Sequence, residues 1–163
     1  MTQVSDVMTR GVRTMAPADT LVLAAQAMEA LDVGVLPVCE GEALVGLVTD
    51  RDLVLRGMAQ GLPAERTPIS EVMSRDVTCC HVDDAVEDVL DQMRDLKIRR
   101  VPVIDYDKHL VGMLTLGDVA AKRGGELVGE ALEDISEPAE PDRTGQSAAS
   151  GAAGGGASPA EPA

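Results

Sequence analysis

Leu44-Val45-Gly46-Leu47-Val48-Thr49-Asp50-Arg51-Asp52-Leu53 returns 66 residues later as Leu110-Val111-Gly112-Met113-Leu114-Thr115-Leu116-Gly117-Asp118-Val119. Upstream, residues 4–38 align with residues 69–103 at an offset of 65, and the extra residue falls in a turn, where insertions are tolerated. Identical pairs include Val7/Val72, Met8/Met73, Arg10/Arg75, Met28/Met93, Pro37/Pro102 and Asp52/Asp118. A unit this long, present twice, is a duplicated half-domain rather than a solenoid array.

Each copy carries the same local pattern. Leu21, Ala24, Ala25, Met28 and Leu31 form an apolar stripe at helical period, repeated as Val86, Val89, Leu90, Met93 and Leu96. Asp19 and Asp84 stand just ahead of these stripes as candidate cap or first-turn residues. Val35-Leu36-Pro37-Val38 and Leu44-Val45-Gly46-Leu47-Val48 flank Glu40-Gly41-Glu42, which reads as a hairpin. Residues 101–104 and 110–114 flank a second turn at 105–108. A further helix is expected over 50–59, and its counterpart over 116–123. The order is β-α-β-β-α, twice, in an α+β, layered α/β fold with the copies related by a pseudo-two-fold axis. A cleft is expected on either side of that axis. The organisation in chain order is 1–68 for the first motif with its lead-in and linker, 69–123 for the second, and 124–136 for a short helical segment. Residues 137–163 follow as a tail. Of these 27 residues, 20 are Ala, Gly, Pro or Ser, and such a stretch buries too little apolar surface to offset the entropy of ordering it.

Composition removes several functions. With 14 basic against 28 acidic residues, the net charge of −14 argues against nucleic-acid binding and against attachment to an anionic membrane. Tyr106 is the sole aromatic residue, so stacking sites for bases are excluded. No apolar run approaches the roughly 20 residues of a membrane span, and the N-terminus has no signal-peptide pattern. Three cysteines without framework spacing fit a reducing cytoplasm. Catalytic signatures are missing: no Gly-x-Ser-x-Gly, P-loop or His-Glu-x-x-His occurs, so an enzyme is not expected.

Val33-Gly34-Val35-Leu36-Pro37-Val38 followed by residues 44–53, and Ile98-Arg99-Arg100-Val101-Pro102-Val103 followed by residues 110–119, resemble the CBS motif. The openings Ser5-Asp6-Val7-Met8 and Ser70-Glu71-Val72-Met73 resemble that family's helical lead-in. The resemblance covers residues 4–123 and implies a stand-alone tandem CBS pair, or Bateman module. It further implies a regulatory ligand of the AMP, ADP, ATP or S-adenosylmethionine class, no obligatory cofactor, an unknown protein effector and a homodimer. Lead-in contacts around Met8 and Met73 are the expected dimer surface. Carried over residue by residue, Thr49 with Asp52 and Thr115 with Asp118 face the ligand. Val35, Leu36 and Pro37, and Arg100, Val101 and Pro102, line the adenine pocket.

The residues support that chemistry directly. One carboxylate offers acceptor sites to two adjacent hydroxyls, and Arg99 and Arg100 offer planar forks to phosphate. Gly46 and Gly112 permit a close backbone approach. Thr-x-x-Asp is equally a helix capping box, and the two roles can coexist. A ligand-free oligomeric scaffold is the alternative reading. Another is a thiol or zinc switch at Cys79-Cys80-His81, completed by Cys39 or His109, set against three thiols simply packed in the core. The methionines at 15, 28, 58, 93 and 113 read as core.

Overall fold

The computed structural model describes residues 1–136, so the reading of the tail lies outside the described residues. A short helix α1 (Val4–Val7) opens the chain, then α2 (Leu21–Leu31), β1 (Val35–Glu40) and β2 (Ala43–Thr49). After α3 (Asp50–Asp52) comes a π-helical turn, Leu53–Gly57, and a 3-10 turn, Met58–Gln60. The single helix expected over 50–59 is therefore three helical forms in series. The second copy runs from a 3-10 turn, Ile69–Glu71, through β3 (Cys80–His81), α4 (Val86–Leu96), β4 (Arg100–Ile104) and β5 (Leu110–Thr115). It closes with α5 (Leu116–Arg123) and α6 (Glu126–Ser136).

The duplication survives in detail. β1 pairs antiparallel with β2 and β4 with β5, each with a register shift at the equivalent place, between Val38 and Cys39 and between Val103 and Ile104. β3 joins β4 in parallel, and a single bridge from Met15 to Val38 is its counterpart in the first half. α2 and α4 both end on a left-handed residue, Asp32 (φ 53°) and Lys97 (φ 54°). The expected capping by Asp19 and Asp84 is not what these carboxylates do. Asp19 accepts from the Ala16 N–H at 2.8 Å and Asp84 from the His81 N–H at 2.7 Å, closing the turns before the helices. Thr20 caps α2, while Ala85 offers α4 no side-chain cap.

Two apolar cores form, and their membership crosses the order of the chain. Val4, Val7 and Met8 are buried with Val86, Met93, Val101 and Leu114 of the second half. Ile69, Val72 and Met73 are buried with Leu21, Met28, Leu36 and Val48 of the first. The lead-ins are thus exchanged. Thr9 pairs with Met113 through two 2.9 Å backbone bonds, and Ser74 with Leu47 at 2.8 and 2.9 Å, so each lead-in adds a rung to the other half's sheet. Here the two glycines have their use. A Cβ on Gly112 would stand 2.6 Å from the Thr9 carbonyl oxygen, and one on Gly46 would stand 2.7 Å from that of Ser74. The close approach expected of a ligand is made by the chain's own backbone.

Met8 and Met73 are both interior, so contacts made by the lead-ins around them fall to their exposed neighbours. Met15, Met28, Met93 and Met113 are core as expected, but Met58 is 75% exposed. The two hairpin tips meet at an Ala43–His109 bridge, with bonds from Leu44 N–H to the Lys108 carbonyl and from Leu110 N–H to that of Glu42. No described helix is long and apolar enough to cross a membrane.

Candidate functional site

The exchanged lead-in builds a cleft. Beyond its pairing with Met113, the chain runs from Thr9 to Arg13 along a cavity of about 320 Å³ between the halves. The first half contributes Leu31, Val33, Val35, Leu36 and Pro37, an apolar lining. The second contributes Arg100, Met113, Thr115 and Asp118.

Asp118 is held at the first turn of α5 by a capping box. Its N–H donates to Thr115 Oγ1, and its Oδ2 accepts from the Thr115 N–H, both at 3.0 Å. Its other oxygen, Oδ1, accepts from Thr9 Oγ1 at 2.9 Å. An ionised carboxylate has about four acceptor sites, so capping and Thr9 leave about two for a ligand. Arg13 and Arg100 also line this cleft, and an arginine there suits an anionic substituent.

The first half repeats the box without the setting. Thr49 and Asp52 bond reciprocally at 3.0 Å, but Asp52 Oδ1 faces Arg56 Nε at 3.8 Å, and both residues lie outside this cleft. Asp50 packs over Gly34, where a Cβ would stand 3.0 Å from Asp50 Oδ2. In the second half the equivalents are Arg99 and Leu116, joined by a Leu116 N–H to Arg99 carbonyl bond at 3.1 Å.

Of the sequence candidates, Val35, Leu36, Pro37, Arg100, Thr115 and Asp118 come together. Thr49, Asp52, Arg99, Val101 and Pro102 do not line this cleft, and Val101 is fully buried in the second core. Sequence reasoning missed Thr9, Arg13 and Met113. Thr9 and Asp118 are 109 residues apart, and only the exchange of lead-ins brings them together.

Cys79, Cys80 and His81 assemble no ligand set among the described residues. Cys80 is buried with its Sγ 3.8 Å from the Pro102 carbonyl, and burial together with the Asp84 charge pushes its pKa up to about 12. Burial raises the Cys39 and Cys79 thiols too. The His81 ring stacks on Tyr106 at 5.1 Å. The group with metal-ligand spacing is instead Asp105, Asp107 and His109 at the second hairpin tip. There Asp105 Oδ1 accepts the N–H groups of Asp107 and His109, both at 2.9 Å, which is how such a turn is held without any ion.

Two interlocked copies of one α+β repeat, with a mixed apolar and charged cleft between them, define a paired-repeat module. The CBS domain model matches residues 4–58 and again 69–125, and the chain belongs to the CBS domain family as a tandem pair. It is 41% identical over 137 residues to the CBS domain-containing protein YhcV of Bacillus subtilis, covering 83% of this chain and 96% of that one. The structure of hypoxic response protein I, which holds two coordinated zinc ions, superposes with a TM-score of 0.68 at 34% identity, over 74% of this chain and 98% of that one. The CBS domain pair of protein MJ0100, in complex with 5′-methylthioadenosine and S-adenosyl-L-methionine, superposes with a TM-score of 0.66 at 28% identity. That match covers 77% of this chain and 98% of that one.

Proposed function

We propose that this chain is a regulatory module, not an enzyme, that takes an adenosine-containing molecule in the cleft beside Asp118. The response passes through a protein effector or through self-association as a homodimer. The observation that carries the reading is the setting of Asp118: a capped carboxylate with open acceptor sites, between an apolar wall and two arginines. A ribose diol suits the first, an adenine ring the second and a phosphate or sulfonium-bearing carboxylate tail the third. The adenosine ligands of the MJ0100 pair support the same class here. Three free cysteines suit a cytoplasmic setting.

The test is thermal unfolding against AMP, ADP, ATP, 5′-methylthioadenosine and S-adenosylmethionine, with guanosine nucleotides as controls. A ligand at 100 times its Kd stabilises by about 2.7 kcal/mol, or several degrees in Tm. An adenosine-selective shift is expected to vanish in Asp118→Ala and to persist in Asp52→Ala, whose loss costs only a cap, about 0.5–2 kcal/mol. No shift with any adenosine compound at millimolar concentration overturns the reading.

A further inference from the structure

The two hairpin tips meet where Ala43 and His109, equivalent residues of the two copies, pair as a bridge. The first copy brings a methyl group to this junction and the second an imidazole. His109 Nδ1 lies 3.3 Å from Asp105 Oδ2 of its own hairpin and 3.9 Å from Glu42 Oε2 of the other. A carboxylate oxygen of Asp107 completes the group, within 4.8 Å of ligand atoms of both Asp105 and His109. Nitrogen and oxygen ligands about 2.0–2.2 Å from one ion stand roughly 3–4 Å from each other, so small side-chain rotations close these spacings on a cation.

Three carboxylates around one imidazole leave an excess of negative charge. A protonated imidazole sets one positive charge against it, a divalent cation two. Asp105 is already fixed, because its Oδ1 accepts the N–H groups of Asp107 and His109. The turn therefore stands before an ion arrives, and Oδ2 is left toward the imidazole. Hydrogen bonds of this kind orient the ligands of metal sites. A cavity of about 350 Å³, lined among others by Glu42, Asp105 and His109, gives an ion room and an approach. The first tip carries Cys39, Gly41 and Ala43 where the second carries Asp105, Asp107 and His109, so the repeat offers this set once per chain.

We propose that Asp105, Asp107 and His109, joined by Glu42 from the other hairpin, bind one divalent cation of the Mn²⁺ or Zn²⁺ kind and so tie the two hairpin tips together. Imidazole suits zinc, carboxylates suit manganese, and a mixed set of one nitrogen and three oxygens serves either. The proposal is independent of the adenosine reading. Glu42 belongs to the first half and the other three residues to the second, so the ion holds together the halves whose docking builds the cleft.

Isothermal titration of the full chain, stripped of metal with a chelator, tests this with MnCl₂ and ZnCl₂ in turn. MgCl₂ is the control for diffuse attraction to a chain of net charge −14. One ion per chain is expected with Mn²⁺ or Zn²⁺. His109→Gln and Asp107→Asn, whose side chains belong to neither core, are each expected to weaken it at least about tenfold, with an unchanged circular dichroism spectrum. Glu42→Gln is expected to weaken it too, and His81→Gln to leave it unchanged. No binding of either ion at millimolar concentration overturns the site, as does an equal response to Mg²⁺. So does binding that survives both His109→Gln and Asp107→Asn, the outcome for Zn²⁺ held by a thiol. Binding of native strength in Glu42→Gln overturns the tie between the hairpins alone.

Discussion

Asp52 and Asp118 occupy the same position in two copies, carry the same capping bonds and differ in what lies beyond them. Arg56 stands beside the first carboxylate and Thr9 beside the second. Beyond the box, Asp118 has a neutral hydroxyl for a partner, whereas Asp52 has an exposed guanidinium 3.8 Å away, a weak surface pair. At the same scale, Gly112→Ala places a methyl group against the Thr9 carbonyl, where neither backbone can yield cheaply. Overpacking of this kind costs about 1–3 kcal/mol, so the expected outcome is a lower urea midpoint together with weakened ligand binding, since Thr9 moves with its carbonyl. Cys80 gives a pH prediction. Its pKa is raised from 9.0 to about 12 in the folded chain, so the native state keeps a proton that the unfolded state releases. Its contribution is complete below pH 9 and is lost as pH rises toward 12. The native thiol is expected to react slowly with a disulfide reagent at pH 8 and rapidly after unfolding in urea, which a colorimetric thiol assay reads directly.

At the scale of elements, the copies share their terminations more closely than their helices. Asp32 and Lys97 both take the left-handed conformation that ends α2 and α4, a conformation that costs a side-chain-bearing residue roughly 1–2 kcal/mol. Glycine relieves most of that cost. Asp32 also sets a negative charge at a helix C-terminus, where the dipole disfavours it, while Lys97 sets a favourable positive one. Asp32→Gly is therefore expected to raise stability by about 1 kcal/mol, and Lys97→Gly by less. Chemical denaturation of the two variants ranks them. Equal gains would mean that the helix charges contribute nothing.

For the whole molecule, the exchange of lead-ins makes the halves interdependent. Val4, Val7 and Met8 complete the second core, so a chain lacking residues 1–9 loses three buried apolar side chains from the half farther along the sequence. Removal of one large buried aliphatic side chain costs about 2–5 kcal/mol, so loss of the segment is expected to unfold the second half first. Hydrogen exchange should then rise across β4 and β5 while β1 and β2 stay protected. Rapid exchange in β1 and β2 instead would contradict the packing. The same exchange carries Thr9 and Arg13 into the cleft, which ties occupancy of the site to the docking of both halves.

The repeat was legible because its two copies share identities, and the hairpins and capping boxes because each is set by residues within a few positions of one another. The helical stripes were legible in part: Leu21, Ala24 and Met28 are buried with Ala27, whereas Ala25, Leu31 and Leu96 are exposed. One wall of the cleft was legible through Val35, Leu36 and Pro37, and so was its opposite carboxylate, Asp118. Tertiary structure alone decided which half each lead-in completes, why Gly46 and Gly112 must be bare, and that Thr9 meets Asp118. The physical reason is distance along the chain. Periodicity reports which face of an element is apolar, but an apolar face does not name its partner, and two copies of one motif offer each lead-in two nearly equal seats. Tertiary packing also separated Asp118 from Asp52 and left Met58 in solvent, because those outcomes depend on Thr9, Arg56 and the π-helical turn rather than on the repeat itself.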